Sequence, residues 1–289
     1  MKLKVINYGI LMRLNRPIGI WLLMWPTLWS LWIAGKGSPD PKIFSIFMIG
    51  IVVMRSAGCV INDYADREFD GQVERTQDRP LVTGEVTINE AIILFTLLIT
   101  IAISLALLLN PSTQLLALFA GLITILYPYC KRFFVAPQLI LGVAFGFSVP
   151  MSFSAQIESI PNIAWLIFLA VIIYAIIYDT IYAMIDREYD LKIGIKSTAI
   201  LFGKADIFII SIMQFFLILL LVILGEFEKL GLWYKLSLFA VALLMGYQNF
   251  LIRPRTAEKC MRAFVNNHLI GLAIFSGIFL DFTFRVDVY

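Results

Sequence analysis

The chain has 289 residues, of which 60% are hydrophobic and only 15% charged, and its mean hydropathy is +0.87. A soluble domain is nearer half apolar and a quarter charged, so the composition excludes a water-soluble protein and points to a polytopic membrane protein. A net charge of +3 calls for no nucleic-acid partner, because basic residues gathered on one side of a membrane account for it.

Taken from the N-terminus, apolar runs long enough to cross a hydrocarbon core of about 30 Å fall at approximately 18–34, 43–61, 91–109, 113–128, 137–154, 162–182, 205–225, 233–252 and 263–281. Lone strands cannot satisfy their backbone in lipid, and the runs lack the alternation of a barrel. The expected fold class is therefore all-α, with about nine transmembrane helices. No long polar linker interrupts the series, which predicts a single integral membrane domain over 1–289. The opening MKLK imitates a secretory signal, but the run behind it is long, contains Trp and precedes eight others, so it reads as the first span. Trp21, Trp25, Trp29 and Trp32, at near-helical spacing in that span, read as packing or interfacial aromatics.

Counting Lys and Arg by loop places Lys2, Lys4, Arg13, Arg16, Arg55, Arg67, Arg75, Arg79, Lys131, Arg132, Arg187, Lys192, Lys196, Lys204, Arg253, Arg255, Lys259 and Arg262 on one side, 18 of the 23. Lys36, Lys42, Lys229, Lys235 and Arg285 fall on the other. The split predicts a cytoplasmic N-terminus and, with nine spans, an external C-terminus. Cys59, Cys130 and Cys260 map to or near the cytoplasmic side without CxxC or His-paired spacing and are assigned to packing. His268, the only histidine, lies within the last span and is given a structural role.

One phrase occurs twice. INDYADREFDG closes the second span from Ile61, and YAMIDREYDL closes the sixth from Tyr182. Asn62, Asp66 and Asp70 are spaced four apart, and Asp179, Tyr182, Asp186 and Asp190 follow a three-and-four pattern, so each set stacks along one helical face. The chain thus reads as two similar halves. Asp63, Asp66, Asp70, Asp179, Asp186 and Asp190 bring six carboxylates to neighbouring helix ends, where like charges would repel unless a cation held them. Salt bridges alone would suffice for one copy. Two copies on the same side favour hard oxygen ligands for Mg²⁺, which keeps some waters and completes its shell with substrate phosphate. Cations near the stripes fit a diphosphate: Arg75 and Arg79 in the loop after the first phrase, Lys131 and Arg132 with Tyr127 at the end of the fourth span, and Lys192 and Lys196 after the second phrase. The loops near 71–85 and 191–204 are expected to act as lids.

Arg55 stands alone. It precedes Asn62 by seven residues, which puts it on the same face and about 10 Å deeper at a rise of 1.5 Å per residue. A charge inside a span faces a cavity or a partner. A pair with Asp179 would satisfy it; so would the anion of a second substrate, since an arginine fork suits a carboxylate.

These residues resemble the UbiA-type intramembrane aromatic prenyltransferases. The likeness extends over RLNRPIGIWLLMWPTLWSLW from Arg13, RSAGCVINDYADREFDGQVERTQDRPL from Arg55, YPYCKRF from Tyr127 and YDTIYAMIDREYDLKIGIKSTAILFG from Tyr178. Asn15 stands where an Asp is expected. The resemblance implies nine helices around a central cavity, with Mg²⁺ as cofactor and Asn62, Asp66, Asp70, Asp186 and Asp190 as metal ligands. It further implies that Asp66, Asp70, Asp186, Asp190 and Lys131 are catalytic, and that Arg75, Tyr127, Lys131, Arg132 and Lys196 bind diphosphate. Arg55, Asp179 and Tyr182 would meet the acceptor. The implied reaction joins a polyprenyl diphosphate to 4-hydroxybenzoate for ubiquinone, in the bacterial inner membrane with the site on the cytoplasmic side and no obligate protein partner. The same chemistry on dihydroxynaphthoate, homogentisate or haem, and a cation-coupled transporter, are the alternatives.

Overall fold

The computed structural model describes residues 2–71 and 76–284, and among them every regular element is helical. The first half holds α1 (Lys2–Leu11), α2 (Ile18–Ala34), α3 (Pro41–Asp70), α4 (Ile88–Ala106), α5 (Pro111–Cys130), α6 (Pro137–Gly146) and α7 (Ser148–Ile157). The second holds α8 (Asn162–Ile193), α9 (Thr198–Phe202), α10 (Asp206–Phe227), α11 (Leu232–Ile252) and α12 (Ala257–Thr283). Eight stretches are long and apolar enough to cross a membrane, and α2, at 17 residues, is a shorter ninth. All nine runs expected from the sequence are helical.

The differences have local causes. Helices α3 and α8 continue past the apolar runs to Asp70 and Ile193, because the acidic ladders occupy one face and leave the helical period intact. Gly194, at φ 75°, then ends α8 in the left-handed conformation that glycine adopts without strain. The fifth run is split between α6 and α7 around Phe147. Pro150 lies inside it, has no N–H for the carbonyl four residues back and crowds it, which breaks a helix. The short α1 is too brief and too polar to show as a span.

Helix α8 is the hub, packed against α6, α7, α10 and α12. Its Tyr174 hydroxyl donates to the Asn267 carbonyl of α12 at 2.6 Å, and Trp29 Nε1 of α2 donates to the Gly271 carbonyl at 3.0 Å. A β-carbon at Gly271 would stand 2.6 Å from the Trp25 ring, so this close crossing needs glycine. Trp25 and Trp29 are thus buried packing residues, whereas Trp21 is 40% exposed. Exposed apolar side chains such as Leu97, Phe119, Phe215 and Phe239 would be a liability in water and suit a hydrocarbon surround.

Candidate active site

One cavity of about 950 Å³ opens between α2, α3, α5, α6 and α8. Asn62, Asp66 and Asp70 from α3 line it, as do Asp179, Tyr182, Asp186 and Asp190 from α8. Tyr127, Lys131, Lys196 and, deeper along α3, Arg55 complete the set. The two helices that carry the acidic phrases therefore present both ladders to one space.

The first ladder is braced by cations. Lys131, at the end of α5, donates from Nζ to Asn62 Oδ1 at 2.9 Å and Asp66 Oδ2 at 3.1 Å, and its Nζ lies 5.4 Å from the Tyr127 ring centre. Tyr127, one turn earlier on the helix, thus offers its π-face to the ammonium. Asp63 is gripped by Arg13 Nη2 at 2.8 and 3.0 Å and by Arg79 Nη1 at 3.0 Å, while Arg79 also pairs with Asp70. Burial pushes the Asp70 carboxyl up to about 6, although Arg79 pulls the other way. The protein's own cations thus leave that acid short of compensation.

The loop behind the second ladder docks on the first half. Lys196 N donates to the Lys131 carbonyl at 2.9 Å, Lys196 Nζ donates to the Phe133 carbonyl at 2.9 Å, and Thr198 N donates to Gln138 Oε1 at 2.9 Å. Lys131 is thereby tied to the segment that follows Asp190. Arg132, expected beside it on the diphosphate, is placed otherwise: it is not part of the cavity lining, and its Nη2 donates to the Ala65 carbonyl of α3 at 2.8 Å. Of these two consecutive basic residues, Lys131 lines the cavity and Arg132 does not. Arg75 lies outside the described residues.

Arg55 Nη1 donates to Cys59 Sγ at 3.1 Å, and among the described residues Arg55 forms no ion pair with Asp179 or any other acid. Cys59, assigned above to packing, also lines the cavity. The four-residue spacing from Arg55 that puts both on one face was available in the sequence. Tyr178 was not singled out either. Its hydroxyl is buried without a partner, and the residue lines the cavity.

The ladders fit Mg²⁺ by donor chemistry. They offer amide and carboxylate oxygens and no sulfur or imidazole, the set a hard divalent cation takes. Among the described residues no three His, Cys, Asp or Glu side chains form a closed cluster.

The UbiA prenyltransferase family model matches residues 23–274. The chain belongs to the UbiA prenyltransferase family. Within it, the chain is similar to the 4-hydroxybenzoate octaprenyltransferase of Nitrosococcus oceani, 51% identical over 282 residues and covering 98% of this chain and 99% of that one. The enzyme of the same name from Alkalilimnicola ehrlichii is 52% identical over 275 residues, 95% of this chain and 94% of the relative. Among solved structures, a UbiA homologue from Aeropyrum pernix K1 superposes with a TM-score of 0.79 at 25% identity, covering 90% of this chain and 97% of its own. A UbiA homologue from Archaeoglobus fulgidus bound to GPP and Mg²⁺ gives a TM-score of 0.72 at 18% identity, covering 94% and 99%; this likeness shows the shared fold.

Proposed function

We propose that this membrane protein transfers a polyprenyl group from an allylic polyprenyl diphosphate to the ring carbon ortho to the hydroxyl of 4-hydroxybenzoate, giving 3-polyprenyl-4-hydroxybenzoate for ubiquinone biosynthesis. The observation that carries this reading is the meeting of Asn62, Asp66 and Asp70 with Asp186 and Asp190 at one cavity, with Lys131 beside them and Arg55 deeper. Relatives about half identical over nearly their whole length bear the 4-hydroxybenzoate name, which supports this acceptor over dihydroxynaphthoate, homogentisate or haem. We read the whole of 1–289 as one domain of the bacterial inner membrane. The 18 basic residues on one side support a cytoplasmic N-terminus and a cytoplasmic site.

Asn62, Asp66, Asp70, Asp186 and Asp190 would hold Mg²⁺, which when bound would neutralise charge on the leaving diphosphate; the Archaeoglobus homologue bound to GPP and Mg²⁺ supports this cofactor. Lys131, now shared by Asn62 and Asp66, stands where it can turn to the same oxygens, with Tyr127 and Lys196 on the same cavity wall, and Arg75 is assigned to the diphosphate with them on its place in the sequence alone. Arg132 holds the α5 end to α3 instead. The carbon–oxygen bond of the donor breaks and its electron pair leaves with diphosphate. The allylic cation that remains is flanked by Phe145, Tyr178 and Tyr182 of the lining, whose rings stabilise it while the apolar wall excludes water. Arg55 receives the acceptor carboxylate, with Asp179 and Tyr182 around the ring. The ring carbon forms the new carbon–carbon bond and then releases its proton. Lining residues Ile103, Leu118 and Leu122 are well exposed apolar side chains, which supports a lateral opening through which the long chain leaves into lipid.

Membranes carrying the protein, given 4-hydroxybenzoate and labelled polyprenyl diphosphate, are expected to form a prenylated product that EDTA abolishes and Mg²⁺ restores. Equal product with homogentisate or dihydroxynaphthoate would defeat the acceptor assignment.

A further inference from the structure

Inside the cavity, the guanidinium of Arg55 lies against the backbone of α2 at Gly19. A β-carbon built on Gly19 would stand 2.2 Å from Arg55 Nε, 2.5 Å from Nη2 and 2.7 Å from Cζ, so only a residue with no side chain allows the fork to rest there. On its other side Nη1 is held by Cys59 Sγ at 3.1 Å, and Nε is buried without a partner. Gly19, Arg55 and Cys59 all line the cavity. The arrangement is specific to this position. Gly50 lines the same cavity, yet a β-carbon there meets nothing within 4 Å.

We propose that Gly19 is a positioning residue for the aromatic acceptor: its bare backbone face, opposite the Cys59 thiol, sets the plane in which Arg55 offers its remaining donors to the acceptor carboxylate. The inference rests on Arg55 receiving that carboxylate. An arginine side chain has many rotamers to lose when it is ordered by a ligand. Holding it between a backbone wall and a thiol removes part of that loss before the acceptor arrives, and pre-ordering of this kind is a source of affinity. The colliding atoms are the far end of a flexible side chain. A larger residue at position 19 therefore displaces the guanidinium and leaves the α2–α3 packing in place.

A double-substitution cycle on membranes carrying the full-length protein tests this, with KM read separately for 4-hydroxybenzoate and for the polyprenyl diphosphate. Gly19→Ala is expected to raise the acceptor KM about tenfold, the loss of one charge-assisted hydrogen bond, and to leave the donor KM within about twofold. Arg55→Ala raises the acceptor KM by itself. Adding Gly19→Ala to Arg55→Ala changes it no further, because the group that Gly19 positions is gone. A general packing defect would move both constants and would add to the Arg55 effect. Should Gly19→Ala fail to reach the membrane, the double variant, free of the collision, still decides: a further rise over Arg55→Ala overturns the proposal. An unchanged acceptor KM in Gly19→Ala overturns it while leaving the Arg55 assignment standing. An unchanged acceptor KM in Arg55→Ala defeats that assignment and the Gly19 inference with it.

Discussion

The two acidic phrases share the tripeptide Asp-Arg-Glu and mount it differently. In the first, Arg67 folds back on its own helix: Nη1 donates to the Tyr64 carbonyl at 2.7 Å, the guanidinium lies 4.6 Å from the Tyr64 ring centre, and its acid partner is the neighbouring, exposed Glu68. In the second, Arg187 reaches off α8 to Asp206 at the start of α10. Asp206 has no solvent exposure and is also held by Arg255, through Nε at 3.2 Å and Nη2 at 2.6 Å. The first ladder is thus steadied by cations acting on its own stretch, with Asp63 clasped by Arg13 and Arg79. The second is steadied through a buried acid at the start of α10. A repeated motif can keep its ligand face and still take its mounting from whatever neighbours the fold provides.

The largest effect should be the same in both halves. Asp66→Asn, Asp70→Asn, Asp186→Asn and Asp190→Asn are each expected to lower turnover by at least about 100-fold, the scale set by loss of a charge-stabilising group at a developing anion, with the protein still in the membrane. Labelled-product assays on membranes of matched protein content check this. Near-normal turnover in either second-ladder variant would break the equivalence of the two faces.

The mountings should part at the next level. Asp206→Ala leaves Arg187 and Arg255 without their shared acid, and breaking such a pair costs about 3 kcal/mol, here moderated by the partial exposure of both arginines. Thermal unfolding in detergent should show the loss, and because α8 then loses its anchor, the Mg²⁺ concentration for half-activity should rise. Unfolding at the wild-type temperature would show that the ion triad is only a surface pairing.

What could be read beforehand follows from how local each signal is. The apolar runs and the stripes of Asn62, Asp66, Asp70 and of Asp179, Asp186, Asp190 depend on spacing within one helix, and both appear as expected in α3 and α8. The Arg187–Asp206–Arg255 triad joins residues 19 and 49 apart in the chain, a relation settled only by which helices touch. Gly19 against Arg55 is of the same kind. Arg132 is an intermediate case: its charge is plain from the sequence, but its direction depends on a turn that gives the cavity to Lys131. Arg13 takes a left-handed φ of 59° just ahead of α2, from which it reaches Asp63, and no periodicity announces such a bend.

A third contrast is in proton linkage. The Asp70 carboxyl is raised to about 6, so it is neutral below that pH, and a metal ligand must be deprotonated to bind. The sign is that Mg²⁺ binding weakens as pH falls through about 6, because protonated Asp70 no longer serves as a ligand. Mg²⁺ activation curves between pH 5 and 8 measure it. Curves that superimpose would remove Asp70 from the metal site or its burial from the explanation.

Arg67→Ala gives the smallest expected effect and bears most directly on the comparison. Its hydrogen bond runs to a carbonyl three residues back on its own helix and its acid partner is exposed. An exposed pair of this kind is worth less than about 1 kcal/mol, and substitution at such a site stays within about 0.5 kcal/mol. Arg187→Ala, at the matching position of the second phrase, withdraws one of two arginines from a fully buried carboxylate and should cost several times more. Measured side by side in detergent unfolding, equal losses would mean that the two copies are mounted alike after all. A small loss at Arg67 beside a large one at Arg187 would place the asymmetry in the helix that each phrase meets rather than in the phrase itself.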